Sequence, residues 1–289
     1  MIIISIHCFP HELSGYNRIV QKLNKCILKV NNPENFSIHS SLNINSKLVD
    51  WKNQTKEQQQ KYCELYENIS TNSSIKCEHN IVNNFRFLGC NEHRRQTIKK
   101  ANQSDTIIFL DCDLHFNEDI LKHHEQSVER ISKFIDYFII TPNTVRLWDT
   151  TWDCIVHPSF LQNKLGTYKE INPNEISNAN YGNTSLSPNI RFKWGGGWFN
   201  AISARLLKFI NIPDSFVGYG PDDTFVMQCC RLMRRKHIRV QQYILNNMIV
   251  CEDQHVDHSL VSLKDNIPNF RETATKHFKE ELDIFYKKL

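Results

Sequence analysis

Two carboxylates flank a cysteine in Asp111-Cys112-Asp113, directly behind the apolar run Thr106-Ile107-Ile108-Phe109-Leu110. Acids this close repel each other unless a cation lies between or near them, and hard oxygen ligands suit Mg²⁺ or Mn²⁺. Aspartate is also common in turns after strands and at helix caps, so the spacing alone leaves a metal site and a polar turn both open. A second acidic pair, Asp222-Asp223, follows Phe216-Val217-Gly218-Tyr219-Gly220-Pro221 and opens a helical pattern. The macrodipole favours negative charge there, and ordinary capping is the alternative. Upstream lies Trp194-Gly195-Gly196-Gly197-Trp198. Its glycines let backbone approach a ligand closely, and its tryptophans offer flat apolar faces of the kind sugars stack on. Arg94 and Arg95, in Gly89-Cys90-Asn91-Glu92-His93-Arg94-Arg95, open the helix before the D-x-D strand. They would meet phosphate at a helix start, or else form a solvated basic face.

These groups need a scaffold that brings them to one edge. The apolar run 2–7 reads as a buried strand, and Tyr16, Ile19, Val20, Leu23 and Ile27 recur at helical spacing behind Ser14 as N-cap. Asn-rich and Gln-rich stretches obscure the period over 31–90, where a helix is placed at 55–68. A helix over 92–101 leads into the strand 105–110 that ends in the acids. Asn117 then caps a helix carrying Ile120, His124, Val128, Ile131 and Ile135 on one face, and Tyr137-Phe138-Ile139-Ile140-Thr141 forms a further strand. This β-α-β-α-β order predicts an α/β fold whose mostly parallel sheet is covered on both faces. D-x-D would then fall at a carboxyl end of that sheet, where open α/β sheets bind ligands. Residues 157–192, rich in Pro, Asn, Gly and Ser, have no period and read as a functional or disordered loop. Helices at 203–210 and 222–234, strands at 237–245 and 247–252, and a final helix with Ala274, Phe278, Leu282, Phe285 and Leu289 on one side complete the pattern.

The 289 residues, 40% hydrophobic and 23% charged, are long enough to bury a sizeable core, and with neither repeat nor linker they read as one domain. A net charge of +4 is too mild to argue for a nucleic-acid partner. The apolar start meets His7, Pro10, His11 and Glu12 too soon for a transmembrane helix and lacks the basic start of a signal peptide. Ten cysteines with no C-x-x-C pair read as mostly free thiols of a reducing compartment. Asn-x-Ser/Thr triplets such as Asn68-Ile69-Ser70 carry no weight in so Asn-rich a chain.

In order and content these motifs resemble the GT-A glycosyltransferases. "NEHRRQTIKKANQSDTIIFLDCDLHFNEDIL" is similar to the central segment of family 2 enzymes. "WGGGWFNAISARLLKFINIPDSFVGYGPDDTF" is similar to the acceptor-side segment of β-1,4-galactosyltransferases and chondroitin-polymerase-type enzymes, written as GG, a spacer and GWGGED. The resemblance implies a GT-A fold with a nucleotide-binding half at 1–141, an acceptor-binding half at 142–263 and a C-terminal helix at 264–289. It implies Asp113 as the direct Mn²⁺ ligand bridging to a nucleotide diphosphate, and Asp111 as a contact to ribose or a metal-bound water. Asp223 falls on the family's general base and Asp222 on the acid that binds hydroxyls. Tyr219 stands for Trp, Pro221 for Gly and Asp222 for the longer Glu, which bears on the acceptor contacts and the sugar. Such enzymes commonly add a histidine ligand after a later strand; His255, ahead of His258, follows Met248-Ile249-Val250 here. His7, in Ile6-His7-Cys8-Phe9-Pro10, would lie where base and ribose bind.

The expected activity is therefore metal-dependent, inverting transfer of a sugar from a nucleotide-diphosphate donor to a glycan or lipid-linked acceptor. The cofactor would be Mn²⁺ or Mg²⁺, and the chain would be cytoplasmic or peripheral to a membrane. A nucleotidyltransferase is disfavoured because Pro10-His11-Glu12-Leu13-Ser14-Gly15 lacks a basic Gly-rich loop. A non-catalytic sugar-binding protein on a degenerate transferase fold is the alternative from a different class.

Overall fold

Ile2, Ile4 and Ile6 face one hydrophobic core, while Ile3 faces a second. The same alternation splits the D-x-D strand, with Ile108 and Leu110 on the first side and Ile107 and Phe109 on the other. Both faces of these strands are buried, which is why they read as continuous apolar runs. The computed structural model describes residues 1–45, 49–83, 90–146, 185–189, 197–216, 222–252 and 269–289.

The described strands are β1 (Ile2–Cys8), β2 (Phe36–Asn43), β3 (Lys76–Val82), β4 (Thr106–Leu110), β5 (Leu114–Phe116), β6 (Tyr137–Arg146), β7 (Leu186–Asn189), β8 (Trp198–Ser203) and β9 (Val240–Glu252). They form one 9-stranded sheet in the order β3-β2-β1-β4-β8-β6-β9-β5, with β7 beside β9. Pairings among β1, β2, β3 and β4, and between β6 and β9, are parallel. Against the expected pattern, β8 enters antiparallel between β4 and β6, and β5 and β7 run antiparallel to β9.

The described helices are α1 (Leu13–Cys26), α2 (Val49–Asn53), α3 (Lys56–Thr71), α4 (Cys90–Lys100), α5 (Ile120–Ile131), α6 (Ala204–Ile210), α7 (Asp222–Arg235) and α8 (Phe270–Lys288). α1, α3 and α5 contribute Tyr16, Tyr66 and Leu121 to the first core. α4, α6, α7 and α8 contribute Ile98, Leu207, Met233 and Phe285 to the second. None of the described helices is long and apolar enough to cross a membrane.

The chain leaves β1 toward β2 on one side, while β4 joins β1 on the other. Ligand crevices in open α/β sheets lie beyond the carboxyl ends at such a reversal, and Cys8 and Asp111 emerge there. Several boundaries differ from the expected ones. Ser14 lies inside α1, because a short turn at Pro10–Glu12 leads in and Glu12 flanks the helix. Asn117 caps an entry turn by accepting from the Asp119 amide at 2.9 Å, and α5 begins at Ile120. The two expected late strands are one, β9, whose pairing with β6 shifts so that Leu245 opposes Pro142 and Ile249 opposes Asn143. Within that bulge the Asn246 amide turns to the Ser185 carbonyl at 2.8 Å.

Candidate functional site

The D-x-D turn is tied to the Gly/Trp segment by backbone. The Asp111 amide donates to the Gly197 carbonyl at 3.0 Å, and one residue earlier Leu110 pairs with Trp198 across β4 and β8. A Cβ on Gly197 would lie 1.8 Å from the Asp111 Cγ, so only glycine fits beside that carboxylate.

Arg94, on α4, joins the two acidic motifs. Its Nη1 donates to Asp222 Oδ2 at 2.6 Å and its Nη2 to Asp111 Oδ1 at 3.2 Å. The guanidinium lies over the Phe109 ring, 5.0 Å from its centroid, and the two carboxylates raise its pKa further. Asp222 is buried with 7% of its side chain exposed, and this ion pair compensates its burial. With its amide nitrogen turned that way, Asn91 donates to Asp222 Oδ2 at 3.0 Å. Burial raises the Asp111 carboxyl, Arg94 pulls it back and Asp222 adds to the rise.

Asp223 is half-buried at the first turn of α7, beside Asp222. Burial first and the neighbouring Asp222 second push its carboxyl up to about 6, against hydrogen bonds from the Thr224 amide and hydroxyl. Asp113 sits in the turn between β4 and β5, two residues from Asp111, while the intervening Cys112 points inward and donates to the His7 carbonyl at 3.6 Å. His7, one residue before the end of β1, has its Nδ1 at 2.7 Å from Ser41 Oγ and its ring stacked on His93 at 5.8 Å. Burial lowers the His7 pKa well below its ordinary value, helped by His93 and Arg94, and burial brings His93 to about 3. Both imidazoles are neutral at neutral pH. Phe9, itself buried, meets His7 edge-on at 5.0 Å and stacks on His11 at 5.8 Å, packing behind both rings at this carboxyl edge.

Two expectations are corrected. Arg95 faces the wall of the site: it donates to the Pro213 carbonyl at 2.8 Å and to Glu92 at 2.9 Å, and pairs with Asp214 at 3.1 Å. These acceptors tie α4 to the segment before α7 and turn this guanidinium away from a phosphate. Trp198 is 4% exposed and packed in the first core, so it offers no stacking face; β8 threads the middle of the sheet and carries the side chain inside. Trp194, Gly196, Tyr219, His255 and His258 lie outside the described residues.

Sequence reasoning missed Asn91, Glu12 and Arg18. Glu12 accepts from the Phe9 amide at 2.9 Å, and burial raises its carboxyl to about 8, with Asp111 adding to the rise. Arg18 reaches from α1 to the carbonyls of the D-x-D turn. No local pattern marks Arg18, because its partners lie far along the chain, and the bond of Glu12 to the Phe9 amide three residues away is an ordinary capping contact. Asn91 lies in the same helix start as Arg94 and Arg95, and an uncharged amide there carries no signal of its own.

The donors fit a hard divalent cation. Asp111 and Asp113 offer carboxylate oxygens only, since the Cys112 thiol faces the core side. Among the described residues no group of three or more His, Cys, Asp or Glu stands ready for a metal. Carboxylate oxygens are the ligand type that Mg²⁺ or Mn²⁺ takes, together with water and substrate phosphates.

No protein-family model matches the sequence, and no curated protein matches it. Among solved structures, GalNAc-T7 with UDP, GalNAc and Mn²⁺ is similar with a TM-score of 0.53 at 14% identity, covering 89% of this chain and 44% of that one. S. aureus TarS 1–349 gives a TM-score of 0.49 at 11% identity, covering 91% of this chain and 63% of that one. The chain thus spans less than two thirds of either structure's length. The helix-covered, mostly parallel sheet is a GT-A-like α/β fold of the kind found in GalNAc-T7.

Proposed function

We propose that this protein is a metal-dependent, inverting glycosyltransferase that moves a sugar from a nucleotide-diphosphate donor to a hydroxyl of a glycan or lipid-linked acceptor. The observation that carries the reading is the Arg94 guanidinium, which holds Asp111 of D-x-D and Asp222 of the second acidic pair within hydrogen-bonding distance of one side chain. Two motifs of a nucleotide-sugar transferase, 111 residues apart by number, therefore meet at the carboxyl edge of a GT-A-like sheet.

In this reading Asp113 and Asp111 hold Mn²⁺ or Mg²⁺ and, through it, the diphosphate. The bound cation would supply Lewis-acid neutralisation of the departing diphosphate. Arg94 orients Asp111 on the donor side and Asp222 on the acceptor side. Asp223 takes the proton of the acceptor hydroxyl as that oxygen attacks the anomeric carbon, and the bond from that carbon to the diphosphate oxygen breaks on the opposite face. The raised carboxyl of Asp223 suits a general base. The His7 ring, neutral and backed by the buried Phe9 and His93, supplies surface for the nucleotide base, as expected for that corner. Gly197 keeps the donor-side backbone close, and Trp194, Gly196 and Tyr219 remain candidates for the acceptor side. The last pair of β9 and β5 is Glu252 with Leu114, next to Asp113, which supports a further ligand from His255 or His258 just beyond.

A thermal-shift panel of nucleoside diphosphates with and without Mn²⁺ tests the reading. At least one nucleotide should raise the melting temperature only with the metal, and a panel with no such shift sinks it. In the full chain Asp113→Ala should lose this shift and all turnover. Asp223→Asn should lose turnover and keep the shift.

A further inference from the structure

The outer face of α1 approaches the D-x-D turn at two points, one helical turn apart. A Cβ built on Gly15 would lie 2.6 Å from the Cys112 carbonyl oxygen, so nothing larger than glycine packs there without displacing the turn. Three residues on, on the same face, Arg18 spreads its guanidinium over the turn. Its Nη2 donates to the Cys112 carbonyl at 3.1 Å, and its Nη1 to the Leu114 carbonyl at 3.0 Å. Nη1 also lies 2.8 Å from His115 Nε2. Arginine has no acceptor, so that ring nitrogen accepts and the proton of a neutral His115 sits on Nδ1.

The two carbonyls belong to the residues on either side of Asp113. A rigid planar fork that grips both fixes the backbone of Asp113 at each end, which a point charge on a flexible stem does far less well. Turns depend on few contacts of their own and open locally at low cost, so a carboxylate borne on one needs such outside support to be held in place. We propose that Arg18, admitted by Gly15, is a positioning residue that aims the Asp113 carboxylate at the cation and diphosphate. This rests on the transferase reading of Asp113. Arg18 touches neither donor nor acceptor, and it acts on the donor side alone.

The test uses the full chain, with free Mn²⁺ followed by electron paramagnetic resonance during titration in the presence of UDP, GDP or CDP, whichever binds the parent. Arg18→Met should weaken Mn²⁺ binding about tenfold or more, Arg18→Lys should restore it only in part, and Gly15→Ala should weaken it in the same sense. Where turnover is measurable, the KM for donor should rise while the KM for acceptor stays unchanged. A folded Arg18→Met that binds Mn²⁺ and nucleotide like the parent overturns the inference and leaves the transferase reading standing. If Arg18→Met does not fold, Arg18→Lys and Gly15→Ala decide, and parent-like binding by both overturns it. A parent that binds no Mn²⁺ with any of the nucleotides overturns both readings.

Discussion

At Arg94 and Asp222 two opposite charges are desolvated together, with 11% and 7% of their side chains exposed. Removing one partner leaves the other charged, buried and uncompensated, which costs far more than an exposed pair. Arg94→Ala is expected to lower stability by about 3–5 kcal/mol in urea unfolding. Arg94→Lys should recover only part of this, because a single ammonium cannot bridge both Asp111 and Asp222. Asp223 makes a prediction of opposite sign. Its folded pKa is raised from 3.8 to about 6, so its contribution to stability is full below the unfolded value and is lost as pH rises through about 6. Asp223→Asn should therefore be the more stable protein at pH 7 and above, by thermal midpoint, while losing turnover. In the parent, kcat/KM should fall about tenfold for each pH unit below 6 as the base is protonated. A profile flat between pH 5 and 7 would remove Asp223 from that role.

At the scale of elements, β8 does what no local pattern announces. It runs antiparallel between β4 and β6 and brings Gly197 against Asp111, so the glycine of one motif makes room for the carboxylate of the other. Gly197→Ala should displace Asp111 and cost about 1–3 kcal/mol, read as a lower unfolding midpoint together with lost Mn²⁺-dependent nucleotide binding. Strands such as β1 and β4 were legible because burial on both faces makes them unbroken apolar runs. β2 was not, because Ser37, His39, Ser40, Ser41 and Asn43 interrupt its pattern although the whole strand is buried. Ser40 and Ser41 are inside because partners await them: Tyr16 donates to Ser40 at 3.0 Å, Tyr66 lies 2.8 Å from Ser40, and His7 meets Ser41. Such partners come from three other elements, and hydrophobic period carries no trace of them. In the same way the acids of the site were readable by type and spacing. Their junction through Arg94, the diversion of Arg95 to Pro213 and the burial of Trp198 depend on contacts made only in the folded chain.

Across the whole molecule, the two acidic motifs rest on different cores of one sheet. The D-x-D turn leans on α1 and the first core, whereas Asp222 and Asp223 open α7, whose Phe225, Cys229 and Met233 lie in the second. α8 closes that second core from outside. Phe285, 3% exposed, meets Phe225 edge-on at 6.4 Å and Phe209 at 6.0 Å. Phe225 is three residues from Asp222, so α8 supports the helix that presents Asp222 and Asp223. Emptying that contact should cost about 3–5 kcal/mol through the cavity left behind. Its functional effect should be one-sided, because the first core and the D-x-D turn keep their own packing. Phe285→Ala is expected to lower the thermal midpoint and turnover while leaving Mn²⁺ and nucleotide affinity nearly unchanged below the transition, by titration at a temperature where the variant is folded. Equal loss on both sides would mean that the two cores move as one unit and that the division of the site between them does not hold.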